Sequence, residues 1–388
     1  MKPNNKEIAD AQMQVDFIAY LQRLLVEGDF NATYKFALLH ALADICIERP
    51  LNSDSDLFSE HLYQQDVITL DELAEKFIEL YWQHSLPYTC SAKEVFSSKD
   101  SASFILLQNA GNQSAIINVL KVHRERGVSA VSALKSDPKV WRALCSHTRR
   151  IIKEGPLWRL QILAGSAECY YYPHDNHKKQ ITLNPGIAFC FRRFYDLVVS
   201  LARTHWTQKI CNYPINHTVI GGQGNLSDFL FGSNRKSLIQ ARTVLYDIQK
   251  GRCFYCGKSI SKAAMTKNEE DTAEQAMAPE VDHFIPRARY PNDLGHNFVL
   301  AHRKCNNAKR DHLAAEIYKE RWFEQNIMQH SAEITNALQE YFTCDKQRSE
   351  AITTWAYQLA ADNGSSFWPF DKTSEPFSPT SSDLAIED

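Results

Sequence analysis

Two pairs of soft metal-ligating side chains constrain this chain more than any other feature of it. Cys253-Phe-Tyr-Cys256 and His302-Arg-Lys-Cys305 each set two donors across a two-residue spacer. A spacer of that length lets one tight turn aim both side chains at a single ion. Four N/S donors are what tetrahedral Zn2+ takes in a closed structural site. Cys253, Cys256, His302 and Cys305 are therefore expected to hold a structural zinc that ties together the ends of a motif too small to bury much core. A redox role for Cys253 and Cys256 would call for βαβ surroundings that the sequence lacks. The other cysteines of the ten are scattered singly and read as small buried hydrophobes. Gly257-Lys258-Ser259 imitates the end of a phosphate loop, but the required glycine falls on Arg252 and the motif fails.

Between the pairs lie Val281-Asp282-His283-Phe-Ile-Pro286 and Asn297-Phe-Val-Leu300, and the second pair runs on into Cys305-Asn306-Asn307-Ala-Lys309. In this order the set resembles the HNH (His-Me finger, ββα-metal) endonucleases, in particular zinc-containing prokaryotic HNH proteins of restriction and anti-phage type. The resemblance spans about residues 246–313. It implies a ββα-metal unit that hydrolyses phosphodiester bonds. It implies His283 as general base, Asp282 and Asn306 as ligands of a catalytic Mg2+ or Mn2+, and Asn297 as the residue that holds local geometry and orients the base. The residue types suit those roles on their own chemistry. A histidine deprotonates water near neutral pH. Asp282 offers a hard oxygen, and a site of one Asp and one Asn suits an ion that keeps several waters. Arg287, Arg289, Arg303, Lys304, Lys309 and Arg310 form a local basic set suited to backbone phosphates. Lys309 could equally face only solvent. His296 and His312 read as surface histidines. The chain departs from the compact pattern in a polar segment, 259–280, with five acidic residues, and in His302, which stands where many relatives carry Cys.

Charge supplies the second argument. The net charge of −3 hides an acidic head (residues 1–80), a basic middle (81–312) and an acidic tail (313–388). A polyanion would be drawn to that middle, though the ends can also neutralise it within one particle. DNA is the first expected partner and RNA the second. A partner protein such as an ATPase, and a homo-oligomer, are also in view, since the chain has no phosphate loop of its own. The reading is a divalent-metal-dependent endonuclease of DNA in prokaryotic defence. The alternative is a zinc-stabilised nucleic-acid or partner-binding module without turnover. A nucleobase deaminase is disfavoured, because the Cys pair comes before His283 and no Glu follows it. Acidic residues in the first thirty positions argue against a secretory signal, and no apolar run reaches membrane length, so a cytoplasmic protein is expected.

Elsewhere the periodicity predicts α+β architecture, mostly helical. A helical N-terminal region covers 1–155, a mixed α/β segment 156–230, the HNH unit 231–315, further helices 316–370 and a disordered tail 371–388. Thr69-Leu-Asp-Glu72 reads as a capping box with Ile68 and Leu73 as its staple. Leu160–Tyr172 and Gln180–Leu183 read as strands, and Asn184 as the cap of a helix from Pro185 to about Trp206. Gly221–Gly224 reads as a hinge. The basic segment 121–159 could track a nucleic-acid backbone or dock the acidic N-terminus.

Overall fold

A computed structural model describes residues 5–50, 66–88, 104–175, 178–220, 226–232, 235–262, 265 and 276–369. The Gly221–Gly224 hinge, most of the acidic segment 259–280 and the tail 371–388 lie outside the described residues. The chain divides into two compact units, Met1–Ser233 and Asn234–Asp388. It is mostly helical with small sheets, and no helix among the described residues is long and apolar enough to cross a membrane.

The first unit is built around one central helix. It begins with α1 (Asn5–Glu27) and α2 (Tyr34–Glu48), continues through strand β1 (Val67–Thr69), α3 (Leu70–His84), α4 (Ala115–Glu125), α5 (Val131–Lys135), α6 (Pro138–Glu154) and α7 (Pro156–Arg159), and adds strands β2 (Ile162–Leu163), β3 (Ser166–Ala167) and β4 (Gln180–Thr182). It closes with α8 (Ile187–Arg193), α9 (Tyr195–Cys211), α10 (Pro214–Ile220) and α11 (Leu226–Phe231). Helix α2 is apolar nearly all round, so it sits in the middle, with every residue from Lys35 to Glu48 buried. Its buried acids are matched: Lys76 pairs with Glu48, with Glu79 at 3.0 Å and with Asp44 at 3.7 Å, and Tyr195 Oη donates to Asp44 at 2.7 Å.

The Thr69 capping box is present in full: Glu72 N donates to Thr69 Oγ1 at 3.2 Å and Thr69 N to Glu72 Oε2 at 2.8 Å. Ile68 and Leu73 are both fully buried beside it. Strand β4 forms as expected and pairs antiparallel with β1, Ile68 facing Ile181. The stretch Leu160–Tyr172 is different. Only the two-residue strands β2 and β3 form, because the buried amide of Gln161 takes the partners a longer strand would have used. Its Oε1 accepts from Tyr171 N at 2.6 Å and its Nε2 donates to Tyr172 O at 2.9 Å. Asn184 also departs from expectation. Its side chain donates to the carbonyls of Cys169 and Tyr170, and the helix it was to cap is broken at Phe194 into α8 and α9.

The second unit opens with α12 (Arg235–Ile248). Strand β5 (Pro279–His283) and strand β6 (Phe298–His302) then form an antiparallel pair, with Asp282 opposite Val299 and His283 opposite Phe298. Helix α13 (Arg303–Lys309) follows directly, and α14 (Glu316–Trp322), a π-helical segment (Phe323–Gln329), α15 (Ser331–Leu338) and α16 (Lys346–Asp362) complete the unit. The later helices are bonded to the ββα element. Trp322 Nε1 donates to His296 O at 2.8 Å, Asn326 Nδ2 to Phe298 O at 2.8 Å and Tyr357 Oη to Ala314 O at 2.7 Å. The Phe284 and Trp322 rings stack at 5.2 Å. All five residues of β6 are buried. One edge of that strand is closed by a side chain: Gln249 donates to Leu300 O and accepts from Leu300 N, each at 2.8 Å.

Candidate active site and metal centre

The four soft donors meet. One ligand atom from each of Cys253, Cys256, His302 and Cys305 lies within 4.8 Å of the others. Donors about 2.3 Å from a tetrahedral zinc stand roughly 3.8 Å apart, so small side-chain adjustments suffice. The first pair sits on a tight turn. Cys253 N donates to Lys258 O at 2.9 Å and Gly257 N to Cys253 O at 3.0 Å, with Gly257 at φ 69, a left-handed conformation that glycine adopts freely. His302 ends β6 and Cys305 lies in the first turn of α13, so a strand-to-helix corner aims the second pair. His302 Nε2 donates to Ser259 O at 3.2 Å, which leaves Nδ1, 3.3 Å from Cys256 Sγ, as the ligating nitrogen. Hydrogen bonds from Cys253 and Cys305 hold the Cys256 thiol far below its ordinary range, and the same crowding pushes Cys305 up. Burial opposes the charged form of His302, but hydrogen bonds and charge from Cys253 and Cys256 raise its pKa to about 10. Protons crowded in this way are those a dication displaces. The donor set fits zinc.

The Asp-His pair ends β5 and opens onto a cleft of about 560 Å³. Asp282, His283, Arg287, Asn306 and Arg310 all line it, so the positions expected to act together share one wall. His283 Nε2 lies 2.8 Å from Asp293 Oδ1, and Arg287 Nη1 reaches the same oxygen at 2.8 Å. Burial would raise the Asp293 pKa, but His283 and Arg287 outweigh it and hold the carboxyl below its usual range. Asp293 is thus ionised and accepts, so Nε2 is the donor and Nδ1 is the nitrogen this contact does not use. Asn297 clamps the loop after the histidine, accepting from Ile285 N at 2.8 Å and donating to Ile285 O at 3.0 Å.

Asp282 is 7% exposed. Its Oδ2 accepts from Tyr255 Oη at 2.5 Å and meets Lys309 Nζ at 3.1 Å. Burial first, then the Asp282 charge and hydrogen bond, push the Tyr255 pKa well up, so this phenol stays a donor. Asn306 Nδ2 donates to Glu280 Oε2 at 3.0 Å, and Glu280 Oε1 takes Arg303 Nε at 2.5 Å. Fixing the amide nitrogen leaves Asn306 Oδ1 as the end a hard cation can use, alongside Asp282 Oδ1. The two residues fit a hydrated divalent ion, with Lys309 sharing the carboxylate.

Lys309 is placed differently from both expected positions, facing a phosphate or facing only solvent. It is fully buried, and its ammonium also donates to His283 O at 3.0 Å. One turn beyond Asn306, the inward face of α13 is where that charge offsets Asp282. Arg310 and Lys304 are exposed, while Arg287 and Arg289 are half-buried. His296, expected at the surface, is fully buried with Nε2 on Ser331 Oγ at 3.0 Å, whereas His312 is exposed. Sequence reasoning missed Asp293, Glu280 and Tyr255. Asp293 carries no periodic signal, being ten residues from the histidine it orients. Glu280 carries no signal of its own, being one of five acids in the polar segment 259–280.

Residues 253–315, under a fifth of the chain, match the model of a family described as HNH endonuclease. The match falls on the zinc cluster, the ββα element and the cleft, and it agrees with the motif order. No curated protein and no solved structure matches the chain.

Proposed function

We propose that this protein is a divalent-metal-dependent HNH endonuclease that hydrolyses DNA phosphodiester bonds. The observation that carries the reading is the shared cleft wall of Asp282, His283 and Asn306, with His283 oriented by Asp293. Within it, residues 231–315 are the cutting unit and 316–370 its C-terminal brace. The basic middle favours a polyanion, DNA before RNA. The placement of the unit behind a larger helical region suits a prokaryotic defence protein acting in the cytoplasm. A partner ATPase, or assembly of copies, would then decide when it cuts.

Hydrolysis needs an activated water, neutralised phosphate charge and help for the leaving oxygen. His283 Nδ1 takes the proton from water, and Asp293 favours the imidazolium that results. Asn297 keeps the loop after His283 from shifting that lone pair. The exposed guanidinium of Arg310 holds a backbone phosphate at the rim. Asp282 and Asn306 would hold the ion, which when bound supplies charge neutralisation on the scissile phosphate and its leaving oxygen. Lys309, buried 3.1 Å from its Oδ2, holds Asp282 in place without reaching the substrate.

The test follows cleavage of supercoiled plasmid with Mg2+, with Mn2+ and with neither, at constant zinc content. Cleavage should require one of the two ions, and Asn306→Ala should demand much more ion for the same rate. Cleavage that is indifferent to both ions and to Asn306→Ala would overturn the assignment. Saturable, salt-dependent DNA binding with no product under any metal would favour the binding-module reading, which the basic middle also supports.

A further inference from the structure

The first unit carries a pocket that the nuclease reading does not use. It encloses about 540 Å³, within the range of small-ligand and cofactor sites. Lys35 lines it, is 93% buried by its 7% exposure, and has no hydrogen-bond or ion-pair partner among the described residues. Its ammonium only rides 5.2 Å from the Phe30 ring centroid. The ammonium faces the open space of the pocket and no carboxylate among the described residues holds it there, so an anion entering the pocket meets an unpaired cation. Burial lowers the Lys35 pKa, Asp29 opposes this, and the charge of Arg159 lowers it further, so a second cation adds to the demand. Arg159 lines the same pocket.

The backbone points the same way. Lys35 is in the first turn of α2, a 15-residue helix whose N-cap, Thr33, makes no side-chain cap bond and whose first turn holds no acid. Thr33 Oγ1 is spent instead on Tyr81 and Gln108. The pocket also takes in Ala115, the first residue of the 11-residue α4, likewise without a side-chain cap bond or first-turn acid. Two uncapped helix starts and two cations make an anion cradle. The mouth is of another character. The Trp158 ring is 36% exposed there, with the Arg159 guanidinium 4.9 Å from its centroid. Exposed Glu154 lies beside it, its carbonyl taking the Trp158 indole N–H at 3.2 Å and its carboxylate offering acceptors. A phosphate alone would leave this rim unused. A nucleotide uses both ends, with phosphate on the cradle, base on the indole, and sugar hydroxyl or base amino group on the Glu154 carboxylate.

We propose that this pocket binds a nucleotide, its phosphate held by Lys35, Arg159 and the α2 N-terminus and its base stacked on Trp158. The nucleotide is either free or part of a strand, and the chemistry of recognition is the same.

The test is calorimetric titration of the full-length, zinc-loaded protein, without added Mg2+ or Mn2+. The probes are inorganic phosphate, dAMP and a short single-stranded oligodeoxynucleotide. Binding of dAMP should be saturable, phosphate should compete with it weakly, and Lys35→Met and Arg159→Gln should each weaken it by about tenfold or more. Arg159 is exposed, so its variant keeps the test valid if Lys35→Met does not fold. Oligonucleotide binding that shares this dependence identifies a strand as the source. Oligonucleotide binding indifferent to both variants, with dAMP still dependent on them, identifies free nucleotide. The proposal fails if neither dAMP nor the oligonucleotide binds, or if both bind equally well to the two variants.

Discussion

At the residue scale, the site turns on which nitrogen of His283 holds the proton. Asp293 settles it by accepting at Nε2, 2.8 Å away, and Arg287 keeps that carboxylate charged. Asp293→Asn removes the charge while preserving shape. It should cut kcat by about ten- to a hundredfold and leave DNA affinity unchanged, as single-turnover cleavage beside a binding titration would reveal. An equal loss in both quantities would reduce Asp293 to a structural role. Asn297→Ala should behave otherwise. It breaks two buried hydrogen bonds to Ile285, so it should lower stability by about 1–3 kcal/mol as well as activity, read by chemical denaturation. Asp282, His283, Asn297 and Asn306 were legible in the sequence because one short motif, with fixed order, carries them. Asp293 and Tyr255 were not, because their roles depend on how a loop and a zinc turn fold back on that motif.

At the scale of elements, two local devices hold the structure. One is the zinc turn, which joins Cys253 and Cys256 to the corner between β6 and α13. Removing zinc with a chelator, or Cys256→Ser, should raise amide hydrogen exchange across β5, β6 and α13 and leave α2 and α9 protected. Uniform exchange across both units would contradict this placement of the metal. The other is the capping box of α3, where Thr69→Ala should cost about 1 kcal/mol, seen as a lower denaturation midpoint. The capping box and the ends of β4 could be read ahead because their signals are local. The Leu160–Tyr172 stretch could not, since the residue that displaces its strand pairing is Gln161, buried by packing that periodicity does not encode. The broken helix at Phe194 is a similar case: helical propensity runs on, and only the fold demands the turn.

For the whole molecule, charge is partly settled inside each unit. In the basic segment 121–159, Lys135 pairs with Glu75 at 2.7 Å and with Glu79 at 3.2 Å, and Arg149 pairs with Asp71 at 2.5 Å. These cations are engaged with α3, which favours internal neutralisation over backbone tracking for them. The exposed Lys304 and Arg310 of the second unit then matter more. DNA affinity should fall with salt, and Lys304→Ala and Arg310→Ala should each reduce the slope of log affinity against log salt by about 1. An unchanged slope would move the DNA path away from α13. The most direct test of the central claim compares wild type with His283→Ala at equal zinc content, measuring DNA affinity and plasmid cleavage on the same preparations. The account predicts retained zinc and affinity with cleavage down by about 10²–10⁴-fold. Cleavage at the wild-type rate by folded, zinc-loaded His283→Ala would contradict it.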